Sequence, residues 1–227
     1  MNILVTGANG QLGNEMQVLA KENLQHTYFF TDVQELDICD EQAVYAYVSE
    51  HKIDVIVNCA AYTAVDKAED DAEFCDKLNN VAPGYLARAA HANGAAMIQV
   101  STDYVFDGTA HIPYTEDQPT CPTSVYGSTK LTGEQNVMNH CEKAMVIRTA
   151  WLYSIYGNNF VKTMIRLGRE RESLGVIFDQ IGTPTYANDL ALAIFAALNK
   201  GIVRGIYHFS DEGVCSWYDF TIAIHRL

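Results

Sequence analysis

The chain has 227 residues, 48% of them hydrophobic, which supplies a core for one large domain or one and a half. Its formal net charge of −13 and pI near 4.8 exclude a nucleic-acid or anionic-membrane surface, because phosphates need a basic footprint. No stretch approaches the roughly 20 apolar residues that span a bilayer, and Met1-Asn2-Ile3 runs straight into a strand without a basic leader. A cytoplasmic protein with no membrane partner is expected. The six cysteines form no C-x-x-C pair and read as reduced, buried small hydrophobes. The seven histidines are scattered with no metal-ligand spacing, so no metal is assigned.

Asn2 to Thr6 is a short apolar strand that ends in Thr6-Gly7-Ala8-Asn9-Gly10-Gln11-Leu12-Gly13, followed by a helix carrying Met16, Leu19 and Ala20. In a dinucleotide-binding turn, Gly7 permits the sharp bend, Gly10 the approach of backbone to a pyrophosphate, and Gly13 close helix packing, with the helix N-terminus facing the anion. The spacing is G-x-x-G-x-x-G, and its place between strand and helix assigns Gly7, Gly10, Gln11, Leu12 and Gly13 to the cofactor. Tyr28 to Thr31 is the second strand. Asp32 follows it, where a carboxylate accepts ribose hydroxyls and repels a 2′-phosphate, which leans towards NADH. Asp37 and Ile38 are expected beside the adenine, and Asp40 caps a helix carrying Val44, Tyr47 and Val48.

Asp54 to Ala61 is a continuous apolar run, as in a parallel strand buried on both faces, and its Ala60-Ala61 end leaves room for a cofactor. The acidic run from Glu69 to Asp76 reads as the solvated face of a long helix continuing to about His91. Gly94 ends that helix, and a strand at Ala96 to Val100 delivers Ser101-Thr102-Asp103-Tyr104. After a proline-punctuated loop, Ser124 caps a helix bearing Tyr126 and Lys130, which lie one turn apart on one face. An ammonium group beside a phenol favours phenolate and is expected to lower the Tyr126 pKa towards the working range. Ala144 to Arg148 is the next strand.

Alternating strands and helices imply a right-handed βαβ series, an α/β fold with a Rossmann-like, doubly wound parallel sheet. Residues 1–150 are read as the dinucleotide-binding domain and 151–227 as a smaller, interleaved C-terminal substrate lobe. In that lobe a helix to about Arg171, a strand at Val176 to Phe178, a helix from Ala187 to Leu198 and a strand at Gly205 to Ser210 are expected. The chain stops at Leu227 without a stop signal, so the lobe is expected to be incomplete.

The glycine turn, the Ser101–Gly108 segment and Tyr126-Gly127-Ser128-Thr129-Lys130 together resemble the extended short-chain dehydrogenase/reductases. Ala60 to Glu69, Arg148-Thr149-Ala150-Trp151 and Gly157-Asn158-Asn159-Phe160 narrow the resemblance to the dTDP-4-dehydrorhamnose reductases. That resemblance implies NADH or NADPH as cofactor and a nucleotide-sugar substrate, dTDP-4-dehydro-L-rhamnose, reduced at its C4 ketone. It implies Tyr126 as proton donor, Thr102 as second hydrogen-bond donor to the forming alkoxide, and Lys130 on the nicotinamide ribose. It further places Ala60, Ala61 and Tyr62 at the cofactor, and Val65, Asp103, Tyr104 and Trp151 at the sugar. Some such reductases form homodimers through acidic residues around Mg²⁺. Glu15 matches one of those positions, but Asn188 stands where a second acid is expected and the third falls beyond Leu227, which leaves a homodimer open without that bridge. Two other readings share the fold: a non-catalytic regulatory subunit like that of methionine adenosyltransferase, and a nucleotide-sugar epimerase or dehydratase that recycles its cofactor.

Overall fold

The computed structural model describes residues 1–227. Six parallel strands form one sheet: β1 (Asn2–Thr6), β2 (Thr27–Thr31), β3 (Val55–Asn58), β4 (Ala96–Thr102), β5 (Ala144–Thr149) and, last in the chain, Gly205–His208. The run from Leu36 to Asp40 adds no strand, so β1 lies between β2 and β3 in the order 2-1-3-4-5. The order reverses between β1 and β3, and a crevice opens at their carboxyl ends, as this topology requires.

Both sheet faces are covered, which is why the strands read as unbroken apolar runs. On one face lies α1 (Gln11–Ala20), with Leu12, Met16 and Leu19 packed against Ile3, Val5 and Val57. On the other lie α2 (Glu41–Glu50), an interrupted helix and α6 (Val125–His140), through Val44, Val48, Leu86, Ala90 and Val137. Asp40 caps α2 by accepting the Gln42 and Ala43 amides.

The single long helix expected after the acidic run is instead α3 (Val65–Ala68), α4 (Ala72–Asp76), one π turn (Lys77–Val81) and α5 (Ala82–Ala92). The break has a cause at each end. Glu69, the C-cap of α3, accepts the Val125 amide on its side chain at 2.9 Å, and Asp71 leaves the helical path at φ −128° and ψ 44° before α4 begins. At the π turn, Asn79 is turned inward, where its side chain accepts the Tyr62 amide (2.8 Å) and donates to the Tyr62 carbonyl (3.0 Å).

Beyond β5 the chain forms β6 (Leu152–Tyr153), α7 (Phe160–Glu170), β7 (Ile181–Gly182), β8 (Thr185–Tyr186), α8 (Ala187–Lys200), β9 (Gly205–His208), β10 (Cys215–Ser216) and α9 (Trp217–Arg226). The strand expected at 176–178 is absent. Ile177 and Phe178 are exposed, and the Ile177 carbonyl accepts a backbone bond from Tyr218 rather than from a strand. Nor do α8 and β9 stay in the lobe: β9 is the sixth strand, parallel to β5, and Leu190, Ile194 and Leu198 of α8 join the core beside α1. The lobe proper is α7, α9 and two short strand pairs, β6 with β8 and β7 with β10.

Candidate active site

The floor of the crevice is a polar chain laid across three strands. Thr6 donates to Asn58 at 2.6 Å, Asn58 donates to Gln99 at 2.8 Å, and Gln99 donates to the Val100 carbonyl at 2.9 Å. All three side chains are buried and bonded, which holds the strand ends at fixed spacing. The Val100 carbonyl also accepts from Lys130 Nζ at 2.7 Å, so the same chain that begins beneath the glycine turn ends at Lys130.

Gly7 has φ +66°, and a Cβ there would sit 2.6 Å from the Ala60 nitrogen. A Cβ on Gly13 would lie 2.3 Å from the Gly7 carbonyl oxygen. Both positions admit only glycine. Gly10 is the N-cap of α1, contributes no capping side chain, and no acid stands in the first turn. The helix therefore presents its unpartnered amides and positive end to the crevice, which suits a pyrophosphate.

Two clefts meet at Gly10, Cys59 and Ala61. The first is lined by Gly7, Asp32, Asp37, Ile38, Ala60 and Lys77 among others. Asp32 stands at its rim, accepting the Asn9 amide at 3.1 Å. The second, of about 620 Å³, holds Gln11, Leu12, Val65, Thr102, Asp103, Tyr104, Tyr126, Lys130 and Trp151. Of the expected site residues only Gly13 and Tyr62 line neither cleft. Gly13 lies under the turn, and Tyr62 is held by Asn79 with its ring edge-on to Phe74.

Ser124 caps α6 by accepting the Gly127 amide, which sets Tyr126 and Lys130 in the first two turns, both buried. Gly127 lets the Tyr104 backbone approach, since a Cβ would fall 2.2 Å from the Tyr104 oxygen. Tyr104 then stands edge-on to the Tyr126 ring at 5.4 Å. Thr102 ends β4, donates to Asp103 at 3.0 Å and accepts the Tyr104 amide at 3.2 Å, so its hydroxyl is fixed where it faces the Tyr126 phenol.

The expectation that Lys130 lowers the Tyr126 pKa is corrected. Burial pushes the phenol above its ordinary value, opposed by the Thr102 hydroxyl and reinforced by Asp103 and Tyr104. Lys130 is itself buried, its pKa drawn down to about 8 by desolvation despite Glu134 nearby. The ammonium group is directed at the Val100 carbonyl, and Tyr126 keeps its proton throughout the neutral range.

Of the far wall only Trp151 was legible in the sequence. Trp151 adopts φ +48° and stacks on Trp217 with centroids 3.5 Å apart, while Phe160 and Phe220 pack around the pair. Gly182 leaves room for the Trp151 indole, which a Cβ would approach to 2.5 Å. Trp217 sits on α9, 66 residues away in the chain, and only its aromatic character marked it. Glu15, at the position tied to a metal-bridged dimer, is buried and accepts from Ser154 (2.6 Å) and Asn188 (3.2 Å) within the chain.

A parallel sheet with a glycine turn at its switch point, and a buried Tyr-Lys pair facing a Thr, defines a dinucleotide-dependent oxidoreductase of the short-chain dehydrogenase/reductase class. Residues 1–227 match the family model described as the RmlD substrate binding domain. A dTDP-4-dehydrorhamnose reductase from Escherichia coli K12 is 44% identical, over 99% of this chain and 77% of its own length. A dTDP-4-dehydrorhamnose reductase structure from Clostridium acetobutylicum superposes with a TM-score of 0.97 at 48% identity, covering 100% of this chain and 80% of that one. A third, from Bacillus anthracis in complex with NADP, gives 0.94 at 41% identity, covering 99% and 80%. The chain belongs to the dTDP-4-dehydrorhamnose reductase family.

Proposed function

We propose that the protein reduces the C4 ketone of dTDP-4-dehydro-L-rhamnose with NADPH or NADH, giving dTDP-L-rhamnose. The observation that carries this reading is the buried Tyr126–Lys130 pair facing Thr102, in a cleft continuous with the glycine turn. The uncapped N-terminus of α1 and the side-chain-free cradle at Gly7 and Gly10 fit a dinucleotide. When bound, NAD(P)H supplies the hydride.

The chain's own residues supply the rest. Tyr126, its pKa raised by burial, arrives protonated and gives its proton to the C4 oxygen as negative charge develops there. Thr102, whose hydroxyl donates to Asp103 at 3.0 Å, turns that one proton to the same oxygen as a second hydrogen bond. Lys130, tied to the Val100 carbonyl, holds the nicotinamide ribose. Val65, Asp103, Tyr104 and the Trp151–Trp217 stack form the sugar side. Asp32 with Asp37 and Ile38 forms the adenosine side, and Gln11, Leu12, Ala60 and Ala61 border the path between the two. In this division residues 1–150, completed by α8 and β9, carry the cofactor, and the rest of 151–227 forms the substrate lobe, in a cytoplasmic protein compatible with a homodimer that uses no Glu15-bound metal. No helix is long and apolar enough to cross a membrane.

The test is consumption of NADPH by the full-length protein given dTDP-4-dehydro-L-rhamnose, one equivalent per sugar. Stoichiometric oxidation separates a reductase from a recycling epimerase or a non-catalytic binder. Tyr126→Phe is expected to lower kcat by about 10²- to 10⁴-fold with little change in cofactor affinity. Unchanged turnover would remove Tyr126 from the mechanism.

A further inference from the structure

α1 turns two side chains toward the loop that joins β6 to α7. Gln11 and Glu15 lie one turn apart on one face of the helix, and both bond residues of that loop. Glu15 accepts the Ser154 hydroxyl at 2.6 Å, with both side chains buried. Gln11 accepts from Asn159 Nδ2 at 2.9 Å. Gly157, at φ +61°, lets the loop close on Gln11, since a Cβ there would fall 3.0 Å from Gln11 Cγ. Gln11 and Asn159 both line the larger cleft, and Gln11 opens α1 beside Gly10.

The direction of these two amides follows from backbone groups that have no choice of role. The Lys162 N–H can only donate, and it donates to Asn159 Oδ1 at 3.1 Å, which caps α7. The Ser154 carbonyl can only accept, and it takes Asn159 Nδ2 at 2.7 Å. Asn159 is thus fixed with Nδ2 towards Gln11, and the Gln11 atom that meets it must be the acceptor, Oε1. That leaves Gln11 Nε2, which carries two donors and bonds nothing in the protein, as the free end of a side chain on the cleft wall.

We propose that Asn159 is a positioning residue which, from the substrate lobe, turns the Gln11 amide so that its NH₂ end meets a phosphate oxygen of the bound dinucleotide. This role rests on the dinucleotide reading of the glycine turn and not on which sugar is reduced. Gln11 adds a side-chain donor to the backbone amides at the start of α1, and Asn159 sets its sense. With the amide reversed, Oε1 would face the phosphate and two acceptors would oppose each other. The same Asn159 starts α7, whose Phe160 packs on Trp217, so the anion cradle and the aromatic wall share one anchor.

The experiment is calorimetric titration of the full-length protein with NADPH and, separately, with dTDP. Asn159→Ser keeps a neutral cap on α7 but is too short to reach Gln11. It is expected to weaken NADPH binding about threefold to tenfold, and Gln11→Ala at least as much. The double variant should bind no more weakly than Gln11→Ala alone, because both changes remove the same donor. Additive losses, or an unchanged affinity in Asn159→Ser, would overturn the assignment. Gln11→Glu leaves Asn159 and its bond in place but makes the free end an anion, so it should cost more NADPH affinity than Gln11→Ala. An equal or smaller cost overturns the assignment whatever becomes of the Asn159 variants. Losses confined to dTDP would give the donor to the diphosphate of the sugar nucleotide and overturn it as well. Wild-type protein that binds no NADPH would sink the dinucleotide reading itself.

Discussion

Glu134→Ala should be among the most damaging single substitutions outside the cleft. Both Glu134 oxygens receive Arg148, Nε at 2.9 and 3.2 Å and Nη2 at 2.7 Å, with the side chains only 2% and 4% exposed. Removing the acid leaves a guanidinium buried without a counter-charge, since Arg148 has only the Phe106 ring 5.2 Å away as further company for its charge. Breaking such a pair costs about 3–5 kcal/mol. For a chain of this size each kcal/mol moves Tm by about 2–4 °C, so a fall of roughly 6–20 °C is expected. Urea unfolding followed by far-ultraviolet circular dichroism measures the loss directly, provided the slope is unchanged. The double variant Glu134→Leu/Arg148→Met should recover much of it, because replacing both partners removes the stranded charge. A loss below about 1 kcal/mol in the single variant, or no recovery in the double, would refute the reasoning.

Lys130 makes stability depend on pH. Its folded pKa of about 8 lies below the ordinary 10.5, so between those values the unfolded chain binds the extra proton and stability rises with pH. A stability-versus-pH series on the cofactor-free protein should climb through that window and flatten in Lys130→Met. Gly133→Ala should destabilise by roughly 1–2 kcal/mol although alanine is the better helix former, because its Cβ would fall 2.1 Å from the Asn79 carbonyl oxygen in the π turn. Thermal unfolding checks it, and a gain in Tm would show that α6 can shift freely. Asp32 should favour NADH over NADPH in initial rates, and Asp32→Asn should narrow the difference; a marked wild-type preference for NADPH would remove the repulsion assigned to it.

The parallel half of the molecule was legible because its code is local. Gly7 and Gly13 announce a turn that no Cβ can enter, and Val55 to Asn58 reads as buried on both faces because it is. Tyr126 and Lys130 were legible for the same reason, being one turn apart on a helix whose cap, Ser124, is two residues before the tyrosine. What failed was decided by partners distant in sequence. Ile177 and Phe178 look like a strand but have none to pair with, and β9 belongs to the main sheet because β5 offers an open edge. The Tyr126 pKa moved opposite to expectation because burial, a property of the whole fold, dominates there while the Lys130 ammonium group is directed at the Val100 carbonyl. Asn79 carried no signal at all, since its role is to hold Tyr62, 17 residues before it.

The stack of Trp151 on Trp217 joins the chain's only two tryptophans, both in the cleft wall. Tryptophan emission from this chain, excited where tyrosine does not absorb, therefore comes from this cleft, and reduced nicotinamide absorbs where tryptophan emits. Quenching on titration with NADPH becomes a direct optical measure of cofactor docking, without any label. Two indoles this close also couple excitonically through their strong far-ultraviolet transition, so a dichroism couplet at the long-wavelength edge of the backbone signal would disappear when α9 parts from the end of β5. Overlaid on the far-ultraviolet signal of the sheet, its loss in urea would tell whether the aromatic wall melts before the strands or together with them.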